Sequence, residues 1–533
     1  MNIAFARHAE RPPDDASASP FPPRSFAAPF AAVASSVLYA LCFPAADFGF
    51  LAWLALVPFL LTFPHARMRT AIGCGLLFGL FQALGVVYWM GVFAGSKLGA
   101  EMGVVACVLA ALIHTPFTAL FAVLANLVWR ASPVARLIAV PAAWAFCEWL
   151  AELGTFGMGW GDFGYTQWHN IPILQFASIA GVFGIGYLIV LCNVAIASRD
   201  RRLLAIAAVI VGSVALWGAF EARIDPGTPR LRVAAIQENI DQDVYWVDNR
   251  RPADPAYFYG TLAAFDQLVA QAASRGARLA ALPETAIPGF IQFDRELRLR
   301  VENWASANHL DLVAGGRYIE PAHGQNQNVV FLIAPFRGAT GVYAKTRLVP
   351  FGEYLPYRRL FSFLQDLQVS IVDEAPGSPG QHPLPTDIWV SGRRVVAGPM
   401  ICFESSYTQY ARRQVLRGAT VLSVVTDDEW YGRTSAARQH MAMSALRAAE
   451  THRSLVRAAV SGISAIFDSR GRRICELAWY KRGVLVADVP IESGITPYVR
   501  FGNWFVVLCC IVFLATLFTT ARRIGGCPAG EHE

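Results

Sequence analysis

The stretch Val395–Tyr407, VVAGPMICFESSY, decides how the chain is read. Val395 to Ile401 is a strand-like run that ends against Cys402, and a helix-like segment, Ser405 to Leu416, follows at once. A cysteine so placed lies at the positive end of a helix dipole, which favours thiolate, the nucleophilic form. A lone buried cysteine more often packs as a small hydrophobe. Two companions change that reading. Glu284 stands in LAALPETAIPG and Lys345 in VYAKTRLVPFGEYLP, each in a Pro/Gly-punctuated stretch after a strand-like run. A carboxylate, an amine and a thiol in such settings are the parts of a Glu-Lys-Cys acyl-transfer site.

The chain has 533 residues, too many for one ordinary core, so at least two domains are expected. It is 55% hydrophobic and only 16% charged, against about a quarter charged in soluble domains, which points to a membrane protein. The net charge of +6 comes with no basic run interleaved with aromatics, and nucleic acid is not an expected partner. The ten cysteines follow neither CxxC spacing nor a disulfide framework. Cys42, Cys74, Cys107, Cys147, Cys192, Cys509 and Cys510 fall in apolar segments and read as packing residues, and Cys475, in a hairpin arm, as inert. No metal or nucleotide motif is present, so no cofactor is expected.

Taken in order, residues 1–25 are rich in proline and mixed charge and read as a disordered cytoplasmic tail rather than a signal peptide. Apolar segments follow at roughly 26–45, 47–64, 71–93, 103–129, 134–153, 172–197 and 203–220, giving a membrane domain of about seven helices over 26–222. The second and fifth are interrupted or short. A C-terminal transmembrane helix is expected at 503–521; several of these segments reach the ~20 residues needed to cross a bilayer. Arg67, Arg69, Arg130, Arg136, Arg199, Arg201, Arg202, Arg522 and Arg523 all fall on one side of this pattern. By the positive-inside rule both termini are cytoplasmic and the charged region 225–495 is extracytoplasmic. That region alternates strand-like runs (231–237, 277–284 and several more) with helical stretches at about 254–275 and 295–308, and a hairpin turns at Ser469-Arg470-Gly471, as in a layered α/β domain.

At these residues the chain resembles the nitrilase superfamily and, within it, the apolipoprotein N-acyltransferases. The resemblance rests on PETAIP around Glu284, KTRLVPFGEYLP from Lys345 to Pro356, ICFE around Cys402, QENI (237–240) followed by Trp246, GW with FGYTQ (159–167), and GITPYVRFGNW (494–504). It covers nearly the whole chain and implies a multi-pass α-helical membrane domain plus an α/β nitrilase-like αββα sandwich. It further implies an enzyme of the bacterial inner (cytoplasmic) membrane, with its catalytic domain, 225–495, on the periplasmic side. Cys402 would take an acyl chain from a phospholipid as a thioester and pass it to the amine of a diacylglyceryl-modified lipoprotein. Glu284 would be the general base, while Lys345 and the N–H after Cys402 would hold the oxyanion.

Other residues carry two readings. Glu353 orients Lys345 or Glu284, or is a turn carboxylate; Glu404 supports the site, or caps a helix. Trp246 and Trp430 line an acyl or headgroup pocket, or anchor at the membrane interface. His440 reads as a packing or surface residue. The chain departs from the family pattern at Phe403, usually tyrosine, at Ala151, at Ala459-Val460, and at Thr426-Asp427-Asp428-Glu429-Trp430-Tyr431, where Ser-Asn-Asp, a small residue and Trp-Phe are usual. Acidic residues there are expected to raise the thiol's pKa. Three other functions stay open at this point: a membrane-tethered amidase or nitrilase, an N-acyltransferase with a different amine acceptor, and a non-catalytic lipid- or lipoprotein-binding homologue.

Overall fold

The computed structural model describes residues 24–224, 227–240, 255–360 and 373–525. The apolar segments fold as α1 (Arg24–Leu41), α2 (Met68–Val86), α3 (Trp89–Leu98), α4 (Ala100–Trp129), α5 (Pro133–Ala151), α6 (Ala177–Ala197) and α7 (Arg201–Glu221). The second apolar segment is not one helix. Single turns at Gly49–Leu51, Ala52–Ala55, Val57–Leu60 and Phe63–His65 replace it, with Pro58 and Pro64 at the starts of the last two, where proline's missing N–H is harmless. Gly99, at φ +94, ends α3 and turns the chain into α4. At ten residues α3 is too short to span a bilayer, and it lies against the α/β region instead.

The α/β region carries two six-stranded sheets. The first runs β12-β1-β2-β3-β4-β5, with β1 (Arg230–Gln237), β2 (Leu279–Leu282), β3 (Asp311–Ile319), β4 (Asn326–Ala334), β5 (Gly338–Ala344) and β12 (Gly483–Pro490). The second runs β11-β10-β9-β8-β7-β6, with β6 (Leu384–Val390), β7 (Arg393–Ile401), β8 (Val421–Thr426), β9 (Leu455–Ala459), β10 (Ser464–Phe467) and β11 (Arg473–Leu477). Each sheet has a parallel trio, β1-β2-β3 or β7-β8-β9, flanked by antiparallel strands. The parallel strands are apolar on both faces because both faces are covered. Val233, Ala235 and Ala281 meet Val395, Ala397, Val425 and Val456 between the sheets. The alternate residues Ala234, Ile236 and Leu282 pack under α8 (Pro255–Ser274) and α9 (Arg295–Asn308).

The outer face of the second sheet is different. Met400, Leu422, Val424 and Leu455 pack under α10 (Thr408–Leu416) and α11 (Ala436–Thr451), and this layer belongs to the same apolar core as the membrane helices. Every residue described in α11 is buried except Arg438. Its polar residues find partners on the membrane side: Trp160 Nε1 donates to Gln439 at 2.6 Å, Arg447 donates to the Tyr165 hydroxyl at 3.0 Å, and Glu450 accepts the Val182 N–H at 3.2 Å. α12 (Trp504–Gly525) closes the chain. Among the described residues six helices (α2, α4, α5, α6, α7 and α12) are long and apolar enough to cross a membrane.

Candidate active site

The three residues picked out by the sequence follow the C-terminal ends of three strands, β2 and β5 of the first sheet and β7 of the second, as open α/β sheets place their sites. Pro283 stops β2, and Glu284 stands on a sharp turn whose next residue, Thr285, has φ +52. Gly315 on β3 permits that turn, because a Cβ there would lie 2.1 Å from the Pro283 carbonyl oxygen. Glu284 is buried and fully engaged. Its Oε1 accepts from Asn328 Nδ2 at 2.7 Å and from Lys345 Nζ at 3.0 Å, and its Oε2 accepts the Asp427 N–H at 2.9 Å.

Lys345 follows β5 with no exposed surface, its N–H donating to the Asn328 carbonyl at 2.8 Å. Its Nζ bridges Glu284 and Glu353, and Glu353 is fixed in turn by the Val349 N–H at 2.9 Å. Burial works against the ammonium, but the carboxylates of Glu284 and Glu353 hold its pKa well above the ordinary lysine value. A protonated amine between two acids is therefore the resting state.

Cys402 directly follows β7 at φ +46, a strained conformation for a residue with a Cβ. Burial first, then the Glu284 carboxylate, push its thiol well above the usual range, against the pull of Lys345 and Thr426. The helix-dipole expectation of a standing thiolate is thus overturned. Cys402 opens a 3₁₀ turn, Cys402–Ser406, that sets it apart from the N-terminus of α10, and the resting group is a thiol that needs a base. Glu284 also reaches a cavity of about 190 Å³, whose other walls include Glu353, Asp427, Glu429 and Trp430 together with Val92 and Phe93 of α3. Among the described residues no group of three or more His, Cys, Asp or Glu is placed to hold a metal ion.

Two family models match the chain: the apolipoprotein N-acyltransferase N-terminal domain over residues 35–195 and carbon-nitrogen hydrolase over 232–495. An apolipoprotein N-acyltransferase of Geobacter metallireducens is 32% identical, across 90% of this chain and 92% of its own. One of Methylococcus capsulatus is 30% identical, across 94% of this chain and 97% of its own. The chain belongs to the apolipoprotein N-acyltransferase family. The crystal structure of an amidase from Nesterenkonia sp. overlaps 53% of this chain and 97% of its own at 20% identity, with a TM-score of 0.36.

Around the three central residues, this acyltransferase differs from the sequence expectations in several ways. Glu404 has no exposed surface and accepts from the N–H groups of Ile401 (2.9 Å) and Thr346 (2.7 Å) and from the hydroxyls of Thr346 and Tyr343. It caps the 3₁₀ turn that starts at Cys402, as the helix-cap reading expects, and braces that turn against the Lys345 loop. Phe403 is buried edge-on against Tyr407, with ring centroids 5.2 Å apart. Trp430 does line the cavity, packed on Phe93 with Lys97 over its ring. Trp246 lies outside the described residues.

The acidic run is neither a solvated loop nor the main influence on the thiol. Asp428 is buried and paired with Arg457, whose Nη2 donates to its two oxygens at 2.8 and 2.6 Å. Burial opposes its charge, but Arg457 and His440 hold its carboxyl far below the usual range. Asp427 is buried too, and burial with Glu429 and Glu284 pushes its carboxyl well above that range. The thiol responds to burial, Glu284 and Glu353 ahead of any of these acids.

Sequence reasoning missed Asn328, Arg457, Arg347 and the part played by His440. Arg347 donates to the carbonyls of Gly154 (2.7 Å) and Gly157 (3.1 Å) and stacks over Tyr407, tying the lysine loop to the turn after α5. A polar Asn-Gln-Asn opening to an otherwise apolar strand was the one signal available for Asn328.

Proposed function

We propose that this acyltransferase moves an acyl chain from a phospholipid, through a thioester on Cys402, to the N-terminal amine of a diacylglyceryl-cysteine lipoprotein. The observation that carries the reading is Lys345, buried between Glu284 and Glu353 beside the Cys402 thiol. Glu284 takes the thiol proton as the sulfur attacks the ester carbonyl, and Lys345 Nζ and the Phe403 N–H hold the oxyanion. Collapse breaks the ester C–O bond, and the departing lysophospholipid alkoxide takes the proton from Glu284. The acceptor amine then attacks the thioester while Glu284 receives its proton. An amide forms, and the sulfur leaves and is reprotonated. Every proton returns to its start, so the cycle needs no co-reactant beyond the two lipids.

The cavity suits such substrates, because one wall is α3, an apolar helix between the sandwich and the spanning helices. We place residues 26–222 and 503–521 in the bacterial inner membrane, 225–495 on its periplasmic face and both termini in the cytoplasm; the one-sided arginines support this orientation. Incubation with phospholipid alone, followed by mass spectrometry, tests the chemistry. An acyl adduct on the Cys402 peptide that is discharged by a lipopeptide amine supports it. Discharge to water alone would make the enzyme a hydrolase, and an unmodified Cys402 would move the nucleophile elsewhere.

A further inference from the structure

Next to Cys402 lies a connected chain of buried polar groups that the reaction above leaves without a task. His440 has no exposed surface. Its Nε2 lies 2.7 Å from Ser405 Oγ and 3.1 Å from the Cys402 carbonyl oxygen, and the Ser405 hydroxyl is itself 2.8 Å from that oxygen. Its Nδ1 lies 3.2 Å from both Asp428 Oδ1 and Arg457 Nη2.

The acceptor on the Cys402 side calls for a hydrogen on Nε2. Arg457 can only donate and the Cys402 carbonyl can only accept. With the proton on Nε2, the imidazole donates toward Cys402 O and Ser405 Oγ, the serine hydroxyl also donates to Cys402 O, and the Nδ1 lone pair receives Arg457. With the proton on Nδ1 the ring could donate to Asp428 Oδ1 at 3.2 Å, but a lone pair would face the carbonyl oxygen at 3.1 Å, and Arg457 would point an N–H at an N–H. An imidazolium would meet Asp428 Oδ1 but would also sit against the Arg457 guanidinium in a fully buried site. Burial and that guanidinium both lower the His440 pKa. The ring is therefore neutral, with its hydrogen on Nε2.

We propose that His440 is a positioning residue for acyl transfer: its Nε2–H, with the Ser405 hydroxyl, grips the carbonyl oxygen of the nucleophile residue. Two consequences follow from that grip. It holds Cys402 at its strained φ of +46, which aims the sulfur. It also polarises the Cys402–Phe403 peptide, so the N–H at the far end of that peptide becomes a stronger donor to the oxyanion. Asp428 and Arg457 fix the ring from behind, and Gly462 makes room for them, since a Cβ there would lie 2.3 Å from Asp428 Cβ. The other groups facing the ring are aromatic: Trp160 and Tyr431, with centroids at 5.3 and 6.3 Å.

This inference rests on Cys402 as nucleophile, and its test is the rate of acyl-Cys402 formation in full-length enzyme in phospholipid nanodiscs. His440→Ala is expected to slow acylation by about 10- to 100-fold with KM unchanged, less than direct removal of an oxyanion donor. His440→Gln keeps an N–H near Nε2 and is expected to recover most of that loss, with a pH profile of the wild-type shape. Ser405→Ala, a change of one atom, gives a smaller loss of the same kind and stands in should His440→Ala fail to fold. Three results overturn the proposal: equal losses in His440→Gln and His440→Ala, a loss confined to KM, or a pH limb that vanishes with the imidazole. A wild-type enzyme that never acylates Cys402 would instead refute the nucleophile, and this proposal with it.

Discussion

Asp428→Asn is the most informative single change, because the charge it removes has no exposed surface and a defined partner. The Asp428 carboxylate accepts twice from Arg457 Nη2 and once from Thr426 Oγ1, at 3.0 Å. An asparagine keeps one acceptor oxygen but removes the charge, leaving the guanidinium of Arg457 with only neutral acceptors: that oxygen, His440 Nδ1 at 3.2 Å and the Ile463 carbonyl, 3.1 Å from Nε. Breaking a buried pair from one side costs about 3–5 kcal/mol. At 2–4 °C per kcal/mol for a domain of this size, that is a fall in Tm of roughly 6–20 °C. Thermal inactivation in nanodiscs, followed by loss of Cys402 acylation, measures it. Because Asp428 is depressed on folding, its stabilisation is complete above the ordinary carboxylate pKa of about 4 and is lost only as pH falls well below that value. The variant should therefore be weaker than wild type throughout the neutral range. Asp428→Asn/Arg457→Met, which removes both charges, should lose much less than the sum of the single changes. A Tm within 2 °C of wild type for Asp428→Asn, or strict additivity in the double variant, would refute the buried pair as a determinant of the site.

Further outcomes can be checked with the same material. Cys402→Ser should fold and bind lipid yet show no acyl adduct by mass spectrometry, because Glu284 cannot draw a proton from a hydroxyl as it does from a thiol. Lys345→Met leaves Glu284 and Glu353 facing each other without their shared cation and should lower the acylation rate by about 10²–10³-fold. Glu374, raised to about 8 by burial and then by Glu353, binds a proton in the folded state that the unfolded chain has released. Stability should therefore fall as pH rises from about 4.3 towards 8, and Glu374→Gln should flatten that slope in Tm measured across it. A cysteine at Gly338 should react with an impermeant reagent in whole spheroplasts, and one at Arg199 only after permeabilisation; the reverse would invert the orientation.

Much of this site could be read before folding because its chemistry is local. Each central residue follows a strand-like run, and a strand's end is where a sheet releases a side chain into a cleft. Glu284, Lys345 and Cys402 were legible for that reason, as were the parallel strands with their continuous apolar character. The partners were not. Asn328 and Arg457 look like incidental polar residues in strands until β4 and β9 are set beside their neighbours, and His440 on a helix carries no sign of which element covers it. The acidic run misled because its charges were counted without Arg457, which lies 29 residues further on. The second apolar segment was legible in composition only. Pro58 and Pro64 restart the helix at the last two of its four turns, and length alone could not reveal that.

The single apolar core that joins α10 and α11 to the spanning helices also limits what can be done with this enzyme. A recombinant piece covering 225–495 would carry a naked flank, with Gln439, Arg447 and Glu450 stripped of Trp160, Tyr165 and Val182. Such a fragment should aggregate rather than work slowly. Natural variation should obey the same restriction, so that sandwich and bundle change together and swapping one half between relatives fails even where both parents are active. What fixes the height of the sulfur above the hydrocarbon is thus a set of ordinary packing residues, and drift among them would alter which lipids can be reached while leaving the reacting groups untouched.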